Sequence, residues 1–294
     1  MEVVHLKHTE IDKVKWDAAI ADAANGLPYA LSCYLDVVSP QWEALMADDY
    51  MFVMPLPKKR KLGFSYLIQP RFTQQLGLFS AREITPDILR LFVSKIPYIA
   101  YHLHLNAHNP DGQQLRRSNY ELVLSDSYDT MKAHFSNNTR RNIVEAYANG
   151  LHLDSVDSEV FIDFWLEHNP ATNSAYKVLL PHFIPMILEN HLGQKIGIYT
   201  ADNELIAVLL LLVYHKRIFY LLPASSTKGK ALKAMFFLID FLIQTHAKSS
   251  MILDFEGSMI DGVARFYRGF GAINHPYPYI IKNRPSWLVK LIRR

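Results

Sequence analysis

The longest apolar run in this 294-residue chain covers positions 205–214. A helix needs about 20 such residues to cross a bilayer, so a run this short does not span one; it reads as a strand beside a hairpin turn. The turn Ala201-Asp202-Asn203-Glu204 precedes it and joins it to 196–200 as a hairpin. Downstream the pattern predicts a third strand over 217–222 and a long apolar helix over 229–247. A strand over 251–255, a helix over 259–268 and a strand over 277–281 follow, with Gly269 and Gly271 as the stop of that helix.

Upstream, Ile11, Val14, Ala18 and Ala21 mark a helix over 11–25, stopped by Gly26. A second helix is expected over 32–47. Strands over 51–55 and 62–68 flank the basic turn Lys58-Lys59-Arg60-Lys61, and a short strand falls near 76–79. Thr85 and Pro86 open a helix to about 94, since threonine caps well and proline suits the first helical position. Strands over 98–105 and 120–124 enclose a turn at Pro110-Asp111-Gly112. Helices over 127–149, 158–168 and 176–191 complete the series. The two halves share one order: helices, a hairpin, a strand, a helix, a strand and a last strand. That order predicts a duplicated α/β unit without residue-level repetition. Each unit is expected to be a mixed, mostly antiparallel sheet flanked by helices, with domains over 1–128 and 129–294.

Half of the residues are hydrophobic, enough for two ordinary cores. A net charge of +3 does not demand a nucleic-acid partner. Cys33 is the single cysteine, which excludes an intrachain disulfide, and it lacks a nucleophile signature; it reads as a small buried hydrophobe. Residues 1–7 lack the apolar core of a signal peptide. A soluble, cytoplasmic protein is expected.

Three features of the second half converge. The strand ending at Leu222 runs into Pro223-Ala224-Ser225-Ser226-Thr227-Lys228-Gly229-Lys230-Ala231 and a helix. Unpaired N–H groups at a helix start favour phosphate, and Lys228, Lys230 and Lys233 add charge; the bland alternative is a solvated helix start. Next, Asp254-Phe255-Glu256-Gly257-Ser258 ends a strand, and alternation puts Asp254 and Glu256 on one face. A carboxylate there can take a proton from an attacking amine, while Ser258 and Asp261 can cap the following helix. Lastly, Tyr267 lies in the last turn of its helix, where its phenol can protonate a leaving group or serve as a core aromatic.

The stretch 195–208 resembles the paired central strands of the GNAT N-acyltransferase superfamily. Ser226-Thr227-Lys228-Gly229-Lys230-Ala231 resembles its pyrophosphate loop, with serine in place of the usual glutamine or arginine. Residues 136–146, which hold Arg140 and Arg141, resemble the helix that begins the second domain of Fem-type peptidyltransferases. Asp254-Phe255-Glu256-Gly257 with Phe266-Tyr267-Arg268-Gly269-Phe270-Gly271 resembles that group's D-F-x-G and helix-end signature.

The resemblance implies two tandem GNAT-like domains, the second carrying the site and the first without one of its own. It implies transfer of an acyl or aminoacyl group from acetyl-CoA, another acyl-CoA or an aminoacyl-tRNA to an amine. The acceptor would be a small molecule or peptide, such as a cell-wall precursor. Leu222, Ala224, Ser225, Ser226, Lys228, Gly229, Lys230 and Ala231 would hold the donor. Tyr267 would be the general acid, with Glu256 and Asp254 as carboxylates. Arg140 and Arg141 would bind an anionic group of either substrate, or form a solvated basic face. The other functional class is a GNAT-fold binding or scaffold protein without chemistry. His102 and His104 share a strand face, but no carboxylate or cysteine nearby completes a metal site. The basic, apolar tail 284–294 could touch a membrane surface weakly, or dock on the first domain.

Overall fold

The computed structural model describes residues 1–110, 115–169 and 174–283. The turn expected at Pro110-Asp111-Gly112 falls partly, and the tail 284–294 wholly, outside the described residues. Two compact units divide the chain: Met1–Arg117 with Pro276–Arg294, and Ser118–His275.

The first unit begins with β1 (Val4–Leu6), α1 (Lys13–Asp22), α2 (Ser32–Val38), β2 (Glu43–Ala47) and β3 (Phe52–Leu56). It continues with β4 (Lys58–Lys61), β5 (Phe64–Ile68), β6 (Phe79–Ser80), α3 (Pro86–Ser94), β7 (Ala100–His104) and β8 (Leu115–Arg117). The single helix expected over 32–47 is instead a short helix and a strand. Pro40 disfavours helical geometry at Ser39, and residues 43–47 gain ladders with both β1 and β3. One sheet has the order β1-β2-β3-β6. Leu45, Met54, Leu78, Phe92 and Leu103 lie in the core of the unit.

The second unit comprises β9 (Tyr120–Val123), α4 (Tyr128–Ala133), α5 (Asn137–Ala148), β10 (His152–Asp154), α6 (Ser158–His168) and α7 (Ser174–Glu189). It continues with β11 (Gly193–Tyr199), β12 (Leu205–Tyr214), β13 (Arg217–Ser225), α8 (Thr227–Ala231) and α9 (Ala234–His246), then β14 (Ile252–Asp254), α10 (Asp261–Gly269) and β15 (Ile273–Asn274). Its seven strands are ordered β10-β11-β12-β13-β14-β9-β15. β12 is an interior strand covered on both faces. Leu209 and Leu211 join the cluster under α5, α9 and α10, and Leu210 and Leu212 alternate to the other face and are equally buried. That double burial is why the longest apolar run lies here.

The helix expected over 127–149 is broken into α4 and α5, because Ser136 caps the second by accepting the Thr139 N–H. The helix expected over 229–247 is broken at Lys233, which adopts φ 61° between α8 and α9. The unit boundary also differs from the expected 128/129. β9 pairs with β14 and β15 and so belongs to the second unit. The last strand, β16 (Tyr277–Asn283), was expected in the second half; it pairs with β7 and β8 in the first unit's sheet β4-β5-β7-β16-β8.

Glu43 anchors the first unit. Its side chain is 2 % exposed and takes hydrogen bonds from Lys58 at 2.5 Å and His5 at 2.6 Å, with a third from Tyr98. Burial alone would raise its pKa, but the Lys58, Tyr98 and His5 bonds outweigh it and bring the value down to about 2. The folded value lies below the unfolded one, so this contribution is complete above about pH 4.3 and is lost as pH falls towards 2. Glu43→Gln is expected to destabilise the chain by about 3 kcal/mol at pH 7. The deficit shrinks between pH 4 and pH 2 in urea titrations, and a deficit independent of pH would contradict this assignment.

Candidate active site

The site is built where β13 and β14 part. Their parallel ladder holds Arg217↔Ile252, Ile218↔Leu253 and Phe219↔Asp254, and stops there. β13 continues to Ser225 along β12, and its register shifts so that Leu221 is an extra, bulged residue between Tyr220 and Leu222. A bulge bends its strand, and this one coincides with the divergence. Residues 220–225 are left without a partner strand on the β14 side.

Pro223 fits this opening. The Ser226 N–H bonds to the Ile206 carbonyl on β12, so strand alternation turns Ala224 and Leu222 towards β12, and Ser225 and Pro223 towards the gap. Proline within a sheet is tolerated only where no ladder donor is needed. Leu222 and Ala224, expected among the donor-binding residues, thus direct their amides into the β12 ladder. Ser225 is the gap-side residue of this stretch that carries an N–H group.

Tyr267 lies across this apex. Its ring stacks on Phe255, the first residue beyond β14, at 4.7 Å and 25°. It also meets Tyr220, the first unpaired residue of β13, at 6.1 Å. The residue is 7 % exposed. Among the described residues its hydroxyl has no hydrogen-bond partner, yet it is not one of the buried unsatisfied polar atoms. The ring is therefore core and the hydroxyl lies at the accessible rim. Burial, then the nearby Glu256 charge, push the phenol pKa well above its ordinary value, so the group is a neutral proton donor at physiological pH.

The two carboxylates are not on one face. β14 ends at Asp254 and Glu256 adopts φ 56°, so strand alternation does not extend to it. Asp254 is 2 % exposed and pairs with Arg217 at 3.1 Å, while Arg217 pairs with Glu121 at 2.8 Å. Asp254 also accepts the Glu256 N–H at 2.9 Å and a bond from Asn119 at 3.4 Å. Alternation sends Asp254 to the sheet face opposite Phe255 and thus opposite the Tyr267 ring. Asp254 is a structural and positioning group that holds the turn carrying Glu256. Burial, then Glu121, raise its pKa to about 6, against the opposing pull of Arg217.

The loop after β13 is tightly seated. Ser226 caps α8 by accepting the Gly229 N–H, and a Cβ on Gly229 would lie 2.2 Å from the Ile206 carbonyl oxygen. Only glycine fits that contact. Lys228 pairs with Glu204, and Lys233 lies 3.7 Å from Glu145. Lys230 has no ion pair among the described residues, and Ala231 closes the helix. Arg140 and Arg141 lie exposed on the first turns of α5, each bonded to an asparagine three residues earlier. That end of α5 abuts α10: the Ser136 N–H bonds to the Gly269 carbonyl, and a Cβ on Gly269 would lie 2.4 Å from Thr139 Oγ1. Gly269 is thus helical and needed for close approach, and Gly271 at φ 83° is the actual stop. Ser258 does not cap α10; its hydroxyl accepts the Ile260 N–H just before the helix.

Leu221, Arg217, Glu121 and Asn119 were not foreseen. Their roles arise from pairing across distant strands, which no local pattern reports; Pro223 was the one legible sign of an open strand edge. Outside this region, burial and then the Asp17 charge push the Cys33 thiol up to about 11, which keeps it protonated. His104 is brought down to about 4 by burial, packs against Tyr277 and Tyr279, and is therefore neutral.

No protein-family model and no curated protein matches the sequence. Solved structures match across its length. FemX aligns over 100 % of both chains at 13 % identity with a TM-score of 0.66. The C-terminal domain of an Agrobacterium fabrum protein described as a lysylphosphatidylglycerol synthetase aligns over 96 % of this chain and 95 % of its own, at 12 % identity and a TM-score of 0.58. A tandem GNAT protein from the clavulanic acid pathway aligns over 95 % and 97 % at 10 % identity, with a TM-score of 0.50. The chain thus has the tandem GNAT fold. Within that class its likeness is to FemX, and at these identities the likeness concerns the fold alone.

Removing Arg217 would leave two carboxylates facing each other in a buried site. Arg217→Met is expected to cost about 3–5 kcal/mol at pH 7.5. The cost should shrink at pH 5, because Asp254, whose folded pKa is raised, then binds a proton and the repulsion disappears. Thermal or urea unfolding at both pH values tests this; a loss under about 1 kcal/mol would place the pair in the weak surface class.

Proposed function

We propose that the second unit transfers an acyl or aminoacyl group from an activated donor to an amine. The observation that carries this reading is the gap between β13 and β14, with a neutral, unbonded phenol at its apex. The donor carbonyl enters the gap, with its oxygen directed at the Ser225 N–H group. Such donors are worth a few kcal/mol when fixed in place before reaction. The amine attacks the carbonyl carbon, and Glu256 accepts the proton the amine loses. The tetrahedral intermediate then expels its leaving group, and Tyr267 supplies the proton that the leaving atom gains. Glu256 and Tyr267 are close enough for the carboxylate to raise the phenol pKa, which supports their joint use.

This chemistry serves a thioester such as acetyl-CoA or another acyl-CoA, and equally an aminoacyl-tRNA ester. Either donor carries phosphate. The start of α8 and Lys230 offer positive potential for it, whereas Lys228 is neutralised by Glu204. The Fem-type motifs at 254–257 and 266–271 favour an amine acceptor on a cell-wall precursor, and Arg140 and Arg141 supply a cationic surface near α10 for an anionic part of either substrate.

Tyr267→Phe and Glu256→Gln are each expected to lower kcat by about 10²-fold or more, with KM and melting temperature little changed. Full activity in both variants would remove these groups from the chemistry and leave the binding-protein alternative. A thermal-shift screen with CoA, acyl-CoAs and aminoacyl-tRNA should identify the donor through a raised melting temperature. Ribonuclease should abolish turnover with a tRNA donor and leave turnover with a CoA donor intact.

A further inference from the structure

The first unit holds a cavity of about 510 Å³ that plays no part in the gap chemistry. Helix α3 contributes Leu89, Arg90 and Val93; β7 and β16 contribute Tyr101 and Lys282; Pro110 closes one side. Its volume lies in the range of small-molecule sites, roughly 300–1,000 Å³. The interior is apolar. Leu89 is 3 % exposed and Tyr101 9 %, so the floor belongs to the unit's core, while Pro86, Arg90, Ser94 and Lys282 form an exposed rim.

The charged side chains among the described lining residues are both basic, Arg90 and Lys282. Lys282 Nζ lies 5.8 Å from the centre of the Tyr101 ring, and its ammonium has no ion pair among the described residues. Arg90 reaches Asp87 along the exposed side of α3, and Asp87 does not line the cavity. Among the described residues no carboxylate lines the cavity, and the Lys282 ammonium gives it positive potential over an apolar floor.

We propose that this cavity binds an anionic amphiphile, a single carboxylate or phosphate-monoester head on an unbranched or aromatic apolar body. The body lies along Leu89, Val93 and Tyr101. The head is placed at Lys282. Burial of the body supplies affinity, and the Lys282 ammonium selects the sign of the head. A cationic or uncharged amphiphile of equal length gains the first contribution and lacks the second.

The test is calorimetric titration of the full-length chain with decanoate, decyl phosphate, decanol and decyltrimethylammonium. Decanoate or decyl phosphate should bind one per chain, and whichever binds more tightly identifies the head. Decanol should bind more weakly and decyltrimethylammonium should not compete. Lys282→Met is expected to weaken binding of the anion by about fivefold, the scale of one exposed charge contact, while leaving decanol unchanged. Val93→Trp should abolish binding by filling the cavity; a melting temperature equal to that of the parent chain verifies folding, and Val93→Leu serves as a milder filler should tryptophan unfold it. Equal binding of decanol and decanoate, or full binding by a folded Val93→Trp, would overturn the proposal. The readout is independent of turnover, so its failure leaves the acyl-transfer reading untouched.

Discussion

The parallel ladder between β13 and β14 ends after Phe219 and Asp254, and two strand edges must then do without each other. A buried N–H or carbonyl without a partner is costly, so such a parting persists only when something else meets those groups or removes them. Here Pro223 removes one donor from the β13 edge. The Asp254 carboxylate takes the Glu256 N–H at the end of β14. Arg217 ties Asp254 to Glu121 on β9 and fixes the closed end of the gap. The opening thus follows from a few side chains that make continued pairing unnecessary or impossible.

Helix α10 is held against this opening by aromatic and glycine contacts. Tyr267 stacks on Phe255, and Phe270 packs edge-on to Phe135 of the segment before α5. Each pair adds about 0.5–1.5 kcal/mol beyond its burial. Gly269 permits the close approach of α5, and Gly229 lets the α8 loop lie directly on β12. The placement of one phenol therefore depends on backbones that approach more closely than any side chain would allow. The ring is core and the hydroxyl is not, so the core packing of Tyr267 is compatible with the proton-donor role proposed for it.

The charged groups show how far local pattern reaches. The period-two pattern that joined Asp254 to Glu256 is valid only within a strand, and β14 ends at Asp254. From there the left-handed geometry of Glu256 separates the two carboxylates, one into a buried ion network and the other towards the phenol. Lys228 and Lys230 look equivalent in sequence, yet the hairpin turn brings Glu204 to the first and not to the second. Ion pairs between distant segments depend on register, which a short window does not contain.

Sequence alone determined what depends on near neighbours. The apolar run at 205–214 marked a strand, the turn at 201–204 set its hairpin, and the glycines at 269 and 271 marked the end of the helix that carries Tyr267. Tertiary structure decided what depends on distant partners: that 43–47 is a strand, that 277–283 pairs with β7 and β8, that β13 bulges at Leu221, and that Asp254 serves Arg217. The physical reason is range. Turn geometry, capping and periodicity act over a few residues, whereas strand pairing and buried charge networks join segments far apart in the chain.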